Sequence, residues 1–215
     1  MNRLQLCQRA RAEMGLGGSG PSTTISQTGE MLQVVNWVDT AWERIQSSRN
    51  WDWLWEASTV TITANTSVTS GTIPASRYLK DCVRDSTGTL LSYLPWADFR
   101  LAYPTAQIAA GTPGTWTIRP DKSFAVNAKP TTNTTYSVER YKNPTAMTTD
   151  SDATTGTPQG IPSEHHMLIV WRAVMLYAGH DEAQVLYNHA QAEYRKVLSA
   201  MGITDHAEIE WGVCW

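Results

Sequence analysis

Residues 163–178 read SEHHMLIVWRAVMLYA, and this stretch decides the fold. Pro162 and Ser163 provide start signals for a helix. From Met167 to Ala178 the residues are apolar almost without interruption, with Arg172 as the exception. The run is too short for a membrane span, which needs about 20 apolar residues. Because a helix that is apolar on every side must be surrounded by other elements, we predict the central helix of a helical bundle.

A last helix is predicted after the short turn at Gly179-His180-Asp181. Its apolar positions alternate spacings of four and three: Ala183, Tyr187, Ala190, Tyr194, Val197 and Met201. Two helices joined by so short a turn pack antiparallel. We therefore predict that residues 163–202 form a helical hairpin.

Two more helices are predicted near the N-terminus. Residues 3–14 form a short one, which ends at the glycine-rich segment 15–21. The second runs from about Gln27 to Ser48 and has a broad apolar face, which is typical of burial between helices. Residues 1–50 are therefore expected to be the first half of an antiparallel bundle that 163–202 completes.

Between the two halves the pattern changes to period two and to β-branched residues. We predict strands at 58–63, 78–84, 90–94, 115–119, 123–126 and 135–141. These strands make residues 51–147 a small antiparallel β module with a Trp-rich start, inserted into the bundle. A polar linker at 148–162 and a C-terminal tail at 203–215 complete an α+β fold.

Tryptophan is unusually frequent, with 10 Trp against 2 Phe. Trp is enriched at protein–protein interfaces, although it also fills cores. Two segments alternate large apolar residues, and alternation places them on one side of an extended chain. The first segment contains Trp51, Trp53 and Trp55, and the second contains Ile209, Trp211, Val213 and Trp215. We hypothesise that both segments contact another chain through these residues. For the second segment, a tail folded back on its own bundle fits the pattern equally well.

The charge pattern argues against tight binding to nucleic acid. Charged residues make up 17% of the chain and the formal net charge is -3, whereas tight binding to phosphates requires a basic surface. A neutral polar surface packs against neighbouring chains at a lower desolvation cost than ions do. The first residues lack the apolar core of a secretion signal. We expect a protein that is made in the cytoplasm and does not enter a membrane.

Several motifs could indicate chemistry, but none has the required context. The GxGxxG pattern at 15–20 follows a predicted helix, whereas a dinucleotide site needs a strand before it. His165 and His166 point about 100° apart on a helix and cannot chelate one metal. The Asp150-Ser151-Asp152 segment lacks the glycine and distal glutamate of a calcium loop. We therefore predict neither an enzyme nor a cofactor or metal site.

Three stretches, in this order, resemble the head-to-tail adaptor (connector) proteins of podovirus-like phages. The first contains GSGPST at 18–23, GE at 29–30, VNWVDTAW at 35–42 and WDWL at 51–54. The second is TYSVERYKNP at 135–144, and the third is IPSEHHMLIVWRA at 161–173 with the last helix through Tyr194. The likeness covers nearly the whole chain as far as Met201.

The resemblance implies a structural virion protein at the head–tail interface, made in the host cytoplasm. It implies a twelvefold homo-oligomeric ring on the portal protein, with tail or nozzle proteins as further partners. Genomic DNA would pass through the lumen without specific binding. The seven contact residues would then meet the portal or the neighbouring subunit, and the free protein is expected to be monomeric or weakly associated.

Three other readings stay open at this point. The chain could be another neck or tail-tube protein, which would bind tail rings instead of the portal. The β region and its Trp residues also fit a carbohydrate- or receptor-binding tail module. An enzyme with an unrecognised site is the third reading, and the lack of a catalytic constellation argues against it.

Overall fold

The computed structural model describes residues 1–18, 20–69, 77–104, 107–150 and 161–201. Helices and strands both occur in these ranges, which confirms the α+β class. The helices are α1 (Arg3–Glu13), α2 (Gly29–Ser48), α3 (Trp96–Ala102), α4 (Met167–His180) and α5 (Gln184–Ala200). The strands are β1 (Trp55–Ile62), β2 (Arg77–Tyr78), β3 (Ser92–Tyr93), β4 (Thr115–Ile118), β5 (Phe124–Val126) and β6 (Thr134–Tyr141).

The chain divides into two compact units. The first, here called the helical unit, consists of Met1–Ser48 together with Thr145–Trp215. The second, the β unit, is the continuous segment Arg49–Pro144. The β unit is therefore an insertion between two parts of the helical unit.

Helix α4 lies at the centre of the helical unit, where it contacts α1, α2 and α5. Eight of its side chains are buried: Leu168, Ile169, Val170, Trp171, Ala173, Val174, Met175 and Ala178. Burying a large aliphatic or aromatic side chain stabilises a fold by about 1.5–3 kcal/mol. The apolar run quoted at the outset is thus the main source of burial in this unit.

The chain enters and leaves the β unit next to a polar clamp in the helical unit. The Gln46 side chain is buried on α2; its Nε2 donates to the Thr145 carbonyl at 2.9 Å, and its Oε1 accepts from the Thr145 N–H at 3.1 Å. A side-chain amide that satisfies both backbone groups of one residue holds that residue firmly in place. Gln46 therefore ties the return of the chain to the end of α2.

The β unit contains two three-stranded sheets. In the first, the order is β1-β6-β2 and both pairs are antiparallel. Strands β1 and β6 pair in one unbroken register, from Trp55 opposite Tyr141 to Ile62 opposite Thr134. The shared core consists of Val60, Ile62, Val83, Leu91, Trp116, Phe124, Val126, Tyr136 and Val138.

The second sheet corrects the prediction of a purely antiparallel module. Its order is β3-β4-β5; β3 and β4 are parallel, and only β4 and β5 are antiparallel. Parallel neighbours need a crossover connection, because the chain must return to the same end of the sheet. Helix α3 and the loop after it provide this crossover.

Two predicted strands are much shorter in the structure. The prediction at 78–84 retains only β2 and isolated bridges from Arg84, because the chain turns away at Lys80 and Asp81. The prediction at 90–94 retains Ser92–Tyr93 and an isolated bridge between Leu90 and Arg84. Alternating residues indicate one buried face, but they do not show whether a partner strand runs alongside for the whole length.

The turn predicted between the last two helices also lies later than expected. Gly179 and His180 belong to the last turn of α4, and Asp181, Glu182 and Ala183 make the connection. Glu182 adopts a left-handed backbone conformation with φ of 55°. The chain therefore reverses at Glu182, whereas the turn was predicted at Gly179-His180-Asp181.

Candidate functional site

The Trp-rich segment is not extended as predicted. Asp52–Leu54 forms a 3-10 turn between Trp51 and the start of β1, so the three indoles do not share one side of a strand. Trp51 is only 3% exposed, stacks on Trp53 with ring centroids 5.8 Å apart, and lies under the Arg49 guanidinium at 5.3 Å. Trp51 therefore packs inside the β unit, where it supports the segment from beneath.

Trp55 remains on the surface, and 41% of it is exposed. Its Nε1 donates to Glu139 Oε2 on β6 at 3.1 Å, which holds the indole against the outer face of the sheet. On the opposite face, Glu56 pairs with Arg140 at 2.6 Å and with Lys142 at 3.2 Å. Of the three predicted Trp contacts, Trp55 is the one most available to another chain.

The other four predicted contact residues, Ile209, Trp211, Val213 and Trp215, lie outside the described residues, as do the linker residues 151–160. The structure shows the start of the linker, where Asp150 is firmly bound. Its carboxylate accepts from the Thr23 hydroxyl at 2.6 Å and from the Thr24 N–H at 2.5 Å. These hydrogen bonds keep the pKa of Asp150 below its usual value.

An exposed apolar surface at the start of α5 was missed by the sequence reasoning. Val185 is 86% exposed, and together with Ala183, Leu186 and His189 it lines an open hollow. Trp171 of α4 contacts the His189 ring edge-on at 5.5 Å. The signal was present in the sequence, because Val185 falls between the four–three positions that face α4.

The ionisable side chains of the described residues form no reactive cluster. Burial raises the pKa of the Cys7 thiol to about 12, so that thiol stays protonated and is a poor nucleophile. Within the described ranges, no group of three or more His, Cys, Asp or Glu side chains is placed to hold a metal ion. None of the described helices is both long and apolar enough to cross a membrane.

His166 is a buried polar residue that immediately precedes α4. It is fully buried, and burial lowers its pKa to about 4 because the charged imidazolium is poorly solvated there. The neutral ring is therefore the form that the fold accommodates.

We expect acid to destabilise the helical unit through His166. Between pH 6.5 and about 4 the unfolded chain binds this proton and the folded chain does not, so stability falls as the pH falls across this window. The expected loss is about 3 kcal/mol by its lower end. Urea unfolding across this range should show a weaker pH dependence in His166→Gln than in the wild type. The neighbouring variant His165→Gln is the control; an equal dependence in all three proteins would contradict the assignment.

Charge is distributed unevenly between the two units. The β unit carries ten Lys and Arg against seven Asp and Glu, and the rest of the chain carries seven against thirteen. The net charges are therefore +3 and -6. Different parts of two copies attract each other electrostatically, whereas like parts repel.

Exposed aromatic and aliphatic side chains and opposite charges on the two units are typical of a structural protein that acts through contacts with other chains. The family model described as SU10 adaptor protein matches residues 1–211. The chain belongs to this family, which confirms the resemblance to phage head-to-tail adaptors and extends it beyond Met201. It is a phage structural adaptor and a component of the virion. No curated protein sequence gives a significant match.

Proposed function

We propose that the chain is one subunit of an adaptor ring that docks on the portal. The ring, twelvefold in this proposal, extends the DNA channel and offers a platform to tail or nozzle proteins. The observation that carries the proposal is the family match over residues 1–211. The uneven charge of the two units supports it, because a closed ring needs two different patches on each subunit that meet in rotation.

The parts of the chain have separate roles in this proposal. The helices of residues 1–50 and 163–202 form a bundle that serves as the base, and the module at 51–147 presents a surface to other proteins. The portal or the neighbouring subunit is contacted by Trp53, Trp55 and the tail residues at 209–215. The buried Trp51 stacks on Trp53 and supports that segment. The linker at 148–162 joins module and hairpin.

The absence of an overall positive charge on the chain supports a channel through which DNA must slide. Each phosphate contact adds affinity, so a lumen rich in unpaired Lys and Arg would retard the genome. The chain instead has a net charge of -3, and Arg140 and Lys142 are both paired with Glu56. DNA therefore passes the ring without specific binding.

Electron microscopy of the purified protein mixed with the portal of its phage tests the proposal. We expect the free protein to be monomeric or weakly associated and to form a ring only on the portal, which acts as the template. A stable ring of the free protein would contradict the templating step. Binding to tail rings but not to the portal would replace the adaptor role with that of a tail-tube or neck protein.

A further inference from the structure

Strand β1 is an open edge of the first sheet. It is eight residues long, and among the described residues its backbone pairs with β6 alone. In an antiparallel pair, alternate residues direct their N–H and C=O groups away from the partner strand. With respect to the residues that the structure describes, the outer side of β1 therefore presents a row of unpaired backbone groups that a further strand can bind.

This edge lacks the features with which proteins usually protect an exposed strand. Such features include lysine and other charged residues, proline, bulges, a covering loop or helix, and a very short strand. The sequence of β1, WEASTVTI, has no Lys, Pro or Gly, and its register with β6 has no bulge. Its one charged residue, Glu56, is paired with Arg140 and Lys142. The opposite edge, β2, is only two residues long.

The exposed face of β1 is shaped to receive large side chains. Trp55, Ala57, Thr59 and Thr61 alternate along it, and all four are exposed. Only the first is large. Beyond Trp55 this face carries only small side chains, those of Ala57, Thr59 and Thr61. The hydroxyl groups of Thr61 and of Thr135 on β6 are hydrogen-bonded at 3.1 Å. Bulky residues on an added strand would find space beside these small ones.

We propose that residues 208–215 of a neighbouring copy add to β1 as a further strand, an inference that rests on the proposed ring. Tail and edge are then the two halves of one contact between subunits. The contact is heterologous, because each copy gives its tail to one neighbour and accepts a tail from the other. Added strands of this kind derive affinity from main-chain hydrogen bonds and specificity from alternate side chains.

Length and pattern identify the tail as the occupant. Residues 208–215 equal β1 in length, about 26 Å when extended. The six residues before them can span about 20 Å beyond Met201. Within 208–215 every second residue is large and apolar (Ile209, Trp211, Val213 and Trp215), the period that a strand with one contacting face requires.

Charge also favours this occupant. Residues 202–215 contain Asp205, Glu208 and Glu210 but no Lys or Arg. The unit that contains β1 has a net charge of +3. An acidic strand is therefore attracted to this unit as a whole, and the attraction decreases as salt is added.

The contact between tail and β1 is tested by mixing two variants of the full chain, one with a substitution on β1 and one without the tail. Thr59→Glu places a negative charge on the exposed face of β1, where it repels the acidic tail, and retains the tail of its own chain, so this chain can only donate. Deletion of residues 204–215 retains the edge, so that chain can only accept. We expect each variant to remain monomeric in analytical ultracentrifugation and their mixture to form a weak one-to-one complex at high concentration, in line with the weak association expected of the free wild-type protein. Circular dichroism of each variant verifies that it is folded.

Two further variants that lack the tail show whether the complex forms at the edge strand β1. Combining the deletion with Thr59→Glu should weaken the complex at least about tenfold. Combining it with Thr131→Glu, at an exposed threonine of the same unit, should leave the complex unchanged. No complex, or equal affinity for both acceptors, would overturn the proposal; a tail that binds its own chain gives the first of these results.

The mixing experiment and the portal-binding experiment can fail independently of each other. Portal binding without a complex between the variants would leave the adaptor role intact and reject the tail–edge contact. A complex without portal binding would support the contact and reject docking on the portal.

Discussion

Removal of residues 204–215 is expected to abolish attachment to portal-containing heads while leaving the fold unchanged. Every described helix and strand ends before this segment, since α5 ends at Ala200. The tail contributes two tryptophans, and buried tryptophans often account for most of the affinity of an interface. In a ring the loss is multiplied, because a subunit that cannot bind its neighbours also loses their multivalent hold on the portal.

Co-sedimentation of the shortened protein with heads that contain portal but no tail measures this effect. The double variant Trp211→Ala/Trp215→Ala should reproduce most of the loss. The control is Cys214→Ser, which changes the other face of the alternating segment and should retain binding. Unchanged attachment of the shortened chain would refute the role assigned to the tail.

Asp39→Asn is expected to destabilise the helical unit by about 3 to 5 kcal/mol. Asp39 receives two bonds from Arg3, Nη2 to Oδ2 at 2.6 Å and Nε to Oδ1 at 3.0 Å, and the guanidinium also donates to Thr24. The Arg3 side chain is only 9% exposed. Neutralising its partner leaves a positive charge in a poorly solvated site, and this penalty exceeds the value of the pair itself.

Chemical denaturation followed by far-ultraviolet circular dichroism measures the change. Glu193→Gln is the matched control, because Glu193 pairs with Lys196, whose side chain is 70% exposed. A solvated pair of that kind contributes about 0.2–1 kcal/mol at most. The double change Asp39→Leu/Arg3→Met should recover much of the stability, because it removes both charges. Equal effects of Asp39→Asn and Glu193→Gln would contradict this account.

The sequence predicted the helices more successfully than the sheets, for a physical reason. A helix satisfies its own backbone, so the apolar spacing of α2 and α5 and the continuous apolar run of α4 were enough to locate them. A strand depends on a partner elsewhere in the chain. Alternation at 90–94 therefore indicated a strand but could not show that β3 runs parallel to β4.

The candidate contact residues show the same limit of local patterns. Alternation at 51–55 suggested three indoles on one side, but the turn at Asp52–Leu54 buries Trp51 and leaves Trp55 outside. The role of Trp55 in binding another chain stays a prediction. Val185 was overlooked because its neighbours fit the helical stripe, although an apolar residue outside the stripe is itself a sign of an exposed contact.

The Gln46–Thr145 clamp has a consequence for how such proteins diversify. The β unit begins just after Gln46 and ends just before Thr145, and the hydrogen bonds between these two residues hold its two ends close together. This closure does not depend on the residues of the β unit itself. A segment whose ends already meet can be exchanged as a cassette without remodelling its host. Phage lineages could thus graft different outer modules onto one conserved scaffold and so acquire new tail machinery in a single recombination step.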